Sequence, residues 1–181
     1  SKNRFFELKM MSNHRHQVIY NTSNSTIFYP PQAINKKQNI KSRKIELIAN
    51  SWSANLNKGF DIYNYLDNNL DFNRYNFTFV GNSPIIFKNI KLVSSCDSKE
   101  LAQKLRGSDI FIFASKMETC SNSLLEALHC GLPCIARNNS SQPEIIKKGG
   151  LLFNGEKDIL DKIESVSNNI NIFKDRIKVL P

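Results

Sequence analysis

From residue 44 onward, short apolar runs alternate with longer amphipathic ones, the pattern of strands joined by crossover helices. The apolar runs predict strands at Lys44–Ala49, Tyr75–Val80, Ile90–Val93, Asp109–Ala114, Pro133–Ala136 and Leu151–Phe153. Ile110-Phe111-Ile112-Phe113-Ala114 is apolar at every position, as in a strand covered by helices on both faces. Between the runs, helices are predicted at Gly59–Asn69, Ser98–Arg106, Ser123–Cys130 and Glu156–Ser167, with a short one opening at Pro143, a residue suited to a first helical position. Ser98 and Ser123 are the natural N-caps. Gly107 and Gly131 follow two of the helix ends. The expected fold is α/β: a Rossmann-like, doubly wound, mainly parallel six-stranded sheet. In such sheets ligands sit beyond the carboxyl ends of the strands, so the loops after Ala49, Val80, Val93, Ala114 and Ala136 are where chemistry is expected.

Residues 1–43 break this rhythm, with one short strand-like run at Gln17-Val18-Ile19-Tyr20 and then a polar stretch leading to Phe28-Tyr29-Pro30-Pro31. Three parts are therefore expected: a connecting segment over 1–43, the α/β domain over 44–167, and a terminal segment over 168–181 that reads as a helix. The net charge of +9 changes the picture only once it is located. Residues 1–50 carry nine Lys or Arg against two Glu, and the other 131 residues are nearly balanced. That basic stretch suits a solvated linker, an acidic neighbour or an anionic lipid surface. Aromatic and basic residues do not interleave as they do in nucleic-acid-binding chains, so no nucleic acid partner is expected. No run is long enough to span a bilayer and the polar start lacks the apolar core of a signal peptide, so a cytoplasmic chain is expected. Cys96, Cys120, Cys130 and Cys134 form no CxxC pair, and His129 beside Cys130 does not supply the four ligands of a structural zinc site. Reduced thiols and no metal are the expectation.

The segment Ser115-Lys116-Met117-Glu118-Thr119-Cys120-Ser121-Asn122-Ser123-Leu124-Leu125-Glu126 carries the strongest candidate chemistry. A loop leaves a strand and enters a helix, so the free N–H groups of the first turn, at Asn122 to Leu125, offer an anion site. Glu118 lies just before them and Glu126 about one turn after. Two carboxylates so placed can accept hydrogen bonds from the vicinal hydroxyls of a sugar. Ser123-x-x-Glu126 is equally a capping box, in which Glu126 serves only the backbone. After the first strand, Lys58 precedes a helix start on the same sheet edge, where an ammonium can neutralise phosphate; a solvated lysine is the alternative. Asn138-Asn139-Ser140-Ser141 before Pro143-Glu144 faces that edge as well.

Taken together these residues resemble retaining GT-B glycosyltransferases of family 4. Glu118-x7-Glu126 followed by Ala127-Leu128-His129-Cys130-Gly131-Leu132-Pro133-Cys134-Ile135-Ala136 is similar to that family's paired glutamates and the Gly-Leu-Pro tail behind them. Lys58-Gly59, Val80-Gly81, Ser115, Pro143-Glu144-Ile145-Ile146 and Gly149-Gly150-Leu151-Leu152-Phe153 match further family positions in the same order, and Asn21 to Pro30 resembles its interdomain crossover. The resemblance spans roughly residues 18 to 165. It implies one half of a GT-B fold that binds a nucleoside-diphosphate sugar of UDP or GDP type, without cofactor or metal. The acceptor, a glycan, a lipid or another hydroxyl compound, would be held by an N-terminal domain, with peripheral membrane association.

By the same resemblance Glu118 would contact the transferred sugar, Glu126 the ribose, and Lys58 the diphosphate, with Ser53, Asn57, Thr119, Ser121, Asn122 and Ser123 completing the donor site. The loop Ser94-Ser95-Cys96-Asp97 would line the base pocket. The chain departs from the family where Trp52 stands in a loop that often carries Arg, where Thr119-Cys120-Ser121 replaces a glycine-rich stretch, and where Asn138-Asn139-Ser140-Ser141 replaces a glycine-containing approach. A nucleotide-sugar epimerase of the same fold and a non-catalytic binding module are the rival readings.

Overall fold

The computed structural model describes residues 21–31 and 43–178. The strand expected at Gln17–Tyr20 and most of the basic N-terminal stretch lie outside them. Six strands form one sheet: β1 (Ile45–Ser51), β2 (Tyr75–Gly81), β3 (Lys91–Val93), β4 (Ile110–Phe113), β5 (Cys134–Arg137) and β6 (Gly150–Phe153). Their spatial order is β3-β2-β1-β4-β5-β6, and every pairing is parallel. The helices are α1 (Phe60–Asn69), α2 (Ser98–Arg106), α3 (Asn122–His129), α4 (Gln142–Ile146), α5 (Glu156–Asn168) and α6 (Ile170–Ile177). A single 3-10 turn, Leu56–Lys58, precedes α1.

Alternation along the strands sorts the core into two layers. Ile110 and Ile112 of β4 join Leu47, Ala49, Phe77 and Phe79 beneath α1 and α5, where Phe60, Tyr63, Leu66, Ile159 and Ile163 are buried. Phe111 and Phe113 join Ile48 and Val80 on the other face, beneath Leu101, Ala102 and Leu105 of α2 and Leu124, Ala127 and Leu128 of α3. Both faces of the central strands are covered, which is why their sequences are apolar throughout rather than alternating. Tyr63 anchors the first layer: its ring meets Phe79 edge-on at 5.0 Å between centroids, and its hydroxyl accepts from Ala114 N at 3.2 Å.

Two caps differ from the expected ones. Asp97, not Ser98, caps α2, its Oδ1 accepting from Glu100 N at 2.8 Å. Ser121, not Ser123, caps α3: it has the extended backbone a cap requires (φ −81°, ψ 116°), and its Oγ accepts from Leu124 N at 3.4 Å. The box Ser123-x-x-Glu126 therefore does not form, and Ser123 sits inside the first turn of α3.

Two contacts between residues distant in sequence brace the sheet. Asp67 on α1 is buried and accepts from the backbone N–H groups of Lys88, Asn89 and Ile90 at 2.7, 2.8 and 2.7 Å, pinning the passage from β2 to β3. Arg43 donates from both Nη atoms to the Asp109 carboxylate, at 2.7 and 2.8 Å, just before β1 and β4. That hydrogen-bonded pairing raises the Arg43 pKa further above its ordinary value, against the opposing effect of burial.

Candidate functional site

The strand order reverses between β1 and β4, and the crevice at such a switch point is where ligands of open α/β sheets bind. A cleft of about 390 Å³ opens there, lined by Asn50, Ser51, Trp52, Ser53 and Lys58 from the first passage and by Ser115, Glu118 and Ser121 to Ser123 from the second, with Glu126 further along α3.

The β1 loop is shaped by a close approach. Gly81 (φ +117°) lies so near Ser51 that an added Cβ would sit 2.0 Å from the Ser51 carbonyl oxygen. Asn82 N donates to that oxygen at 2.9 Å, and Asn82 Nδ2 to Trp52 O at 2.9 Å. Asn55 then caps the 3-10 turn through its Oδ1, and Gly59 takes the left-handed conformation (φ +89°) that lets the chain enter α1 directly behind Lys58. The ammonium of Lys58 is thereby placed on the carboxylate of Glu118, joined to its Oε1 across 60 residues of sequence. Ser115 Oγ lies 3.2 Å from the same oxygen and 3.3 Å from Asn57 O, so its single proton serves one or the other.

The loop carrying Glu118 is braced from behind by the segment after β5. Ser140 Oγ and Ser141 Oγ donate to Glu118 O at 2.6 and 3.1 Å, Gln142 Nε2 to Ser115 O at 3.1 Å, and Asn139 Nδ2 to Lys116 O at 2.6 Å. Ser140 adopts φ +53°, the conformation a glycine supplies without strain, and gains in return a hydroxyl contact that glycine cannot make. Lys116 N donates to Asn57 O at 2.8 Å, locking the two cleft loops together. Beneath them Arg137 reaches Ala114 O through Nε at 2.8 Å and Asp61 through Nη2 at 2.9 Å. Burial alone would raise the Asp61 pKa, but the Arg137 hydrogen bond and the charges of Arg137 and Lys116 together hold it below the usual value.

At the start of α3 the N–H of Leu124 is taken by the Ser121 side chain and that of Leu125 by Ser121 O. This narrows the expected run of open amides to Asn122 and Ser123, whose N–H groups lack an intrahelical acceptor and lie at the cleft. The Asn122 side chain is itself held by Asn21 Nδ2, which donates to its Oδ1 at 3.0 Å and ties the described part of the N-terminal segment to the site. Glu126 is partly buried with no hydrogen-bond partner among the described residues, and desolvation pushes its pKa up.

Of the residues singled out from sequence, Lys58, Glu118, Glu126, Ser121, Asn122, Ser123 and Ser53 are brought together around the cleft. Thr119 is exposed and does not line it, and Asn57 contributes through its carbonyl rather than its side chain. The loop from Ser94 to Asp97 does not line it either. Asn50 was not anticipated. It is 5% exposed, and neither its Oδ1 nor its Nδ2 has a partner among the described residues. A buried polar group left unpaired costs about 1–3 kcal/mol. The signal in the sequence is an Asn directly after the apolar run Leu47-Ile48-Ala49, a poor strand former where Val or Ile would pack better. A second hollow, of about 430 Å³, lies at the far end of α3 against α6, with Leu128, Ile145 and Ile177 in its wall, and holds none of the expected groups.

The structure is thus a parallel doubly wound sheet whose switch-point cleft gathers an ammonium, two carboxylates, hydroxyls and helix-start amides. The chain belongs to the glycosyl transferases group 1 family, whose model matches residues 86–178. Its fold is similar to a sucrose-phosphate synthase of Thermosynechococcus elongatus (TM-score 0.73, 14% identity, 99% of this chain and 52% of that one). It is also similar to the C-terminal domain of the glycosyl transferase group 1 family protein LpcC of Francisella tularensis (TM-score 0.65, 20% identity, 86% and 92%). A glycosyltransferase of Rickettsia africae matches with a TM-score of 0.68 at 15% identity, over 96% of this chain and 56% of that one. At these identities the structures speak for the fold, the Rossmann-like half of the GT-B architecture. In sequence, the chain is 31% identical over 107 residues to an uncharacterized 41.2 kDa protein in the cps region of Klebsiella pneumoniae, covering 55% of this chain and 30% of that protein. The chain thus spans under a third of that relative.

Proposed function

We propose that the cleft binds a nucleoside-diphosphate sugar, of UDP or GDP type, and that the chain is the donor half of a glycosyltransferase that retains anomeric configuration without a metal. The observation that carries this reading is the joining of Lys58 to Glu118 at the switch point, facing the open amides of Asn122 and Ser123. In the reaction the bond between the anomeric carbon and the diphosphate oxygen breaks with its electron pair on that oxygen. Lys58 and the two amides meet the charge that develops there, in geometry fixed before the reaction begins. Glu118, held by Lys58 and Ser115, accepts hydrogen bonds from hydroxyls of the transferred sugar, and Glu126 accepts from the ribose. The acceptor hydroxyl, of a glycan, a lipid or another compound, forms the new bond to the anomeric carbon and gives its proton to the departing phosphate. It is presented by an N-terminal half, for which longer relatives have room.

No described helix is long and apolar enough to cross a membrane. We place the enzyme in the cytoplasm, with peripheral attachment to an anionic membrane face supported by the basic N-terminal residues.

Trp52, the chain's only tryptophan, lines the cleft at 47% exposure and reports on its occupancy. Titration with UDP, GDP and ADP should change its fluorescence with at least one of them, and Lys58→Met should weaken that binding tenfold or more, about 1.4 kcal/mol. A flat fluorescence and a blank calorimetric titration with all three would refute the reading.

A further inference from the structure

Asn50 is the one cleft residue whose side chain is buried, polar and wholly unpartnered among the described residues. It lies on β1 two positions beyond Ile48 and so shares that residue's face of the sheet, the face covered by α2 and α3. Its register partner on β2, Val80, is fully buried in the same layer. The carboxamide therefore has apolar packing on the sheet side and can find hydrogen bonds only toward the cleft.

Groups around that cleft divide by chemistry. Among the described residues Lys58 is the only cation lining it, and it is engaged with Glu118. The α3 wall adds the Ser123 hydroxyl and the Glu126 carboxylate and, among the described residues, no cationic side chain. A carboxamide presents one acceptor and one two-proton donor at a fixed separation. Beside a hydroxyl and a carboxylate, that set matches neutral groups able both to donate and to accept, and it does not match a phosphate, which would meet Glu126 with like charge. Hydroxyl pairs satisfy it.

Resting on the donor reading above, we propose that Asn50 is a specificity-determining residue of the cleft, using both Oδ1 and Nδ2 to hydrogen-bond vicinal hydroxyls of the bound nucleotide sugar. Those hydroxyls belong either to the ribose or to the transferred sugar.

The test uses Asn50→Leu, which keeps the branched shape and removes both polar atoms, with Asn50→Ala as a second variant should the larger side chain disturb β1. Binding to the 181-residue chain is measured by calorimetry with the nucleoside diphosphate that binds wild type, its 2′-deoxy analogue and its sugar conjugate; thermal melting checks the fold. Asn50→Leu should melt no lower than wild type, because an unpaired buried amide is gone, and should bind at least tenfold more weakly. If the ribose is the partner, the gap appears with the nucleoside diphosphate and collapses with the 2′-deoxy analogue. If the sugar is the partner, the gap appears only with the conjugate. Equal affinities of wild type and both variants, within twofold for all three ligands, would overturn the proposal. Failure of wild type to bind any of them would instead sink the donor reading itself, before a variant is made.

Discussion

Replacing Gly59 by alanine places a Cβ where the end of β4 already stands. The added atom would lie 2.1 Å from Ala114 O, 2.4 Å from its carbonyl carbon and 2.5 Å from its Cβ, and the backbone there has φ +89°. An L-residue in that left-handed conformation costs about 1–2 kcal/mol, and forcing an extra carbon into a packed interior costs about 1–3 kcal/mol. Neither is easily relieved, because the opposing atoms are backbone and Ala114 is fully buried. Gly59→Ala should therefore lose about 2–5 kcal/mol, a large part of the stability of a domain this size. The displacement would also fall between Lys58 and Ser115, the residues that hold Glu118. Gly107 provides the control: at the end of α2 its φ is −81°, and an added Cβ would first meet Gln103 O at an ordinary 3.4 Å. Urea unfolding followed by circular dichroism, read as the shift in midpoint at constant slope, should separate the two. Gly107→Ala should stay within about 0.5 kcal/mol of wild type. A loss below about 1 kcal/mol for Gly59→Ala would refute the packing argument and with it the reason this glycine follows the lysine.

Glu126→Gln should leave the free protein as stable or more so. Burial raises the folded carboxyl above its unfolded pKa, so wild type is relatively most stable at acid pH and loses ground to the variant as pH climbs through that interval, which melting curves at stepped pH would show. Asp61→Asn should behave oppositely: the folded pKa is depressed, so the stability Asp61 adds is complete above its unfolded value and disappears as pH falls through the folded one. With a side chain 37% exposed, that contribution should be below about 1 kcal/mol, measured as the difference in midpoint between pH 7 and pH 3. Cys120 lines the cleft, whereas Cys130 is buried and its thiol is pushed up to about 11 by burial. Iodoacetamide at pH 8 should therefore label Cys120 well before Cys130, and a bound nucleoside diphosphate should slow the Cys120 reaction, as peptide mass mapping would report.

What the sequence makes legible follows from how local each determinant is. The strands are announced by runs such as Ile110 to Phe113, buried at every position, and their predicted limits fall within two residues of the observed ones. β1 runs on to Ser51, past the expected Ala49, because its last two residues find parallel partners in Val80 and Gly81, a pairing set 30 residues away. The cap of α3 falls on Ser121 rather than the expected Ser123 for a related reason: both residue types can cap, and the choice rests on the extended backbone at Ser121 (φ −81°, ψ 116°). At the site, Lys58 and Glu118 were visible as candidates on neighbouring loops, but their contact depends on Gly59, Gly81 and the hydroxyls of Ser140 and Ser141, none of which adjoins Glu118 in sequence. Asp67, gathering three backbone amides from residues 21 to 23 positions away, left no local trace.

The central claim, that phosphate is held at the start of α3 beside Lys58, is tested most directly by mapping amide chemical shifts. A 20.7 kDa chain is within reach of the method. With the nucleoside diphosphate found to bind, the largest changes should fall on the amides of Asn122 and Ser123 and on Lys58 and Gly59. Changes centred instead on the hollow at the far end of α3, around Leu132, Ile145 and Ile177, would contradict it.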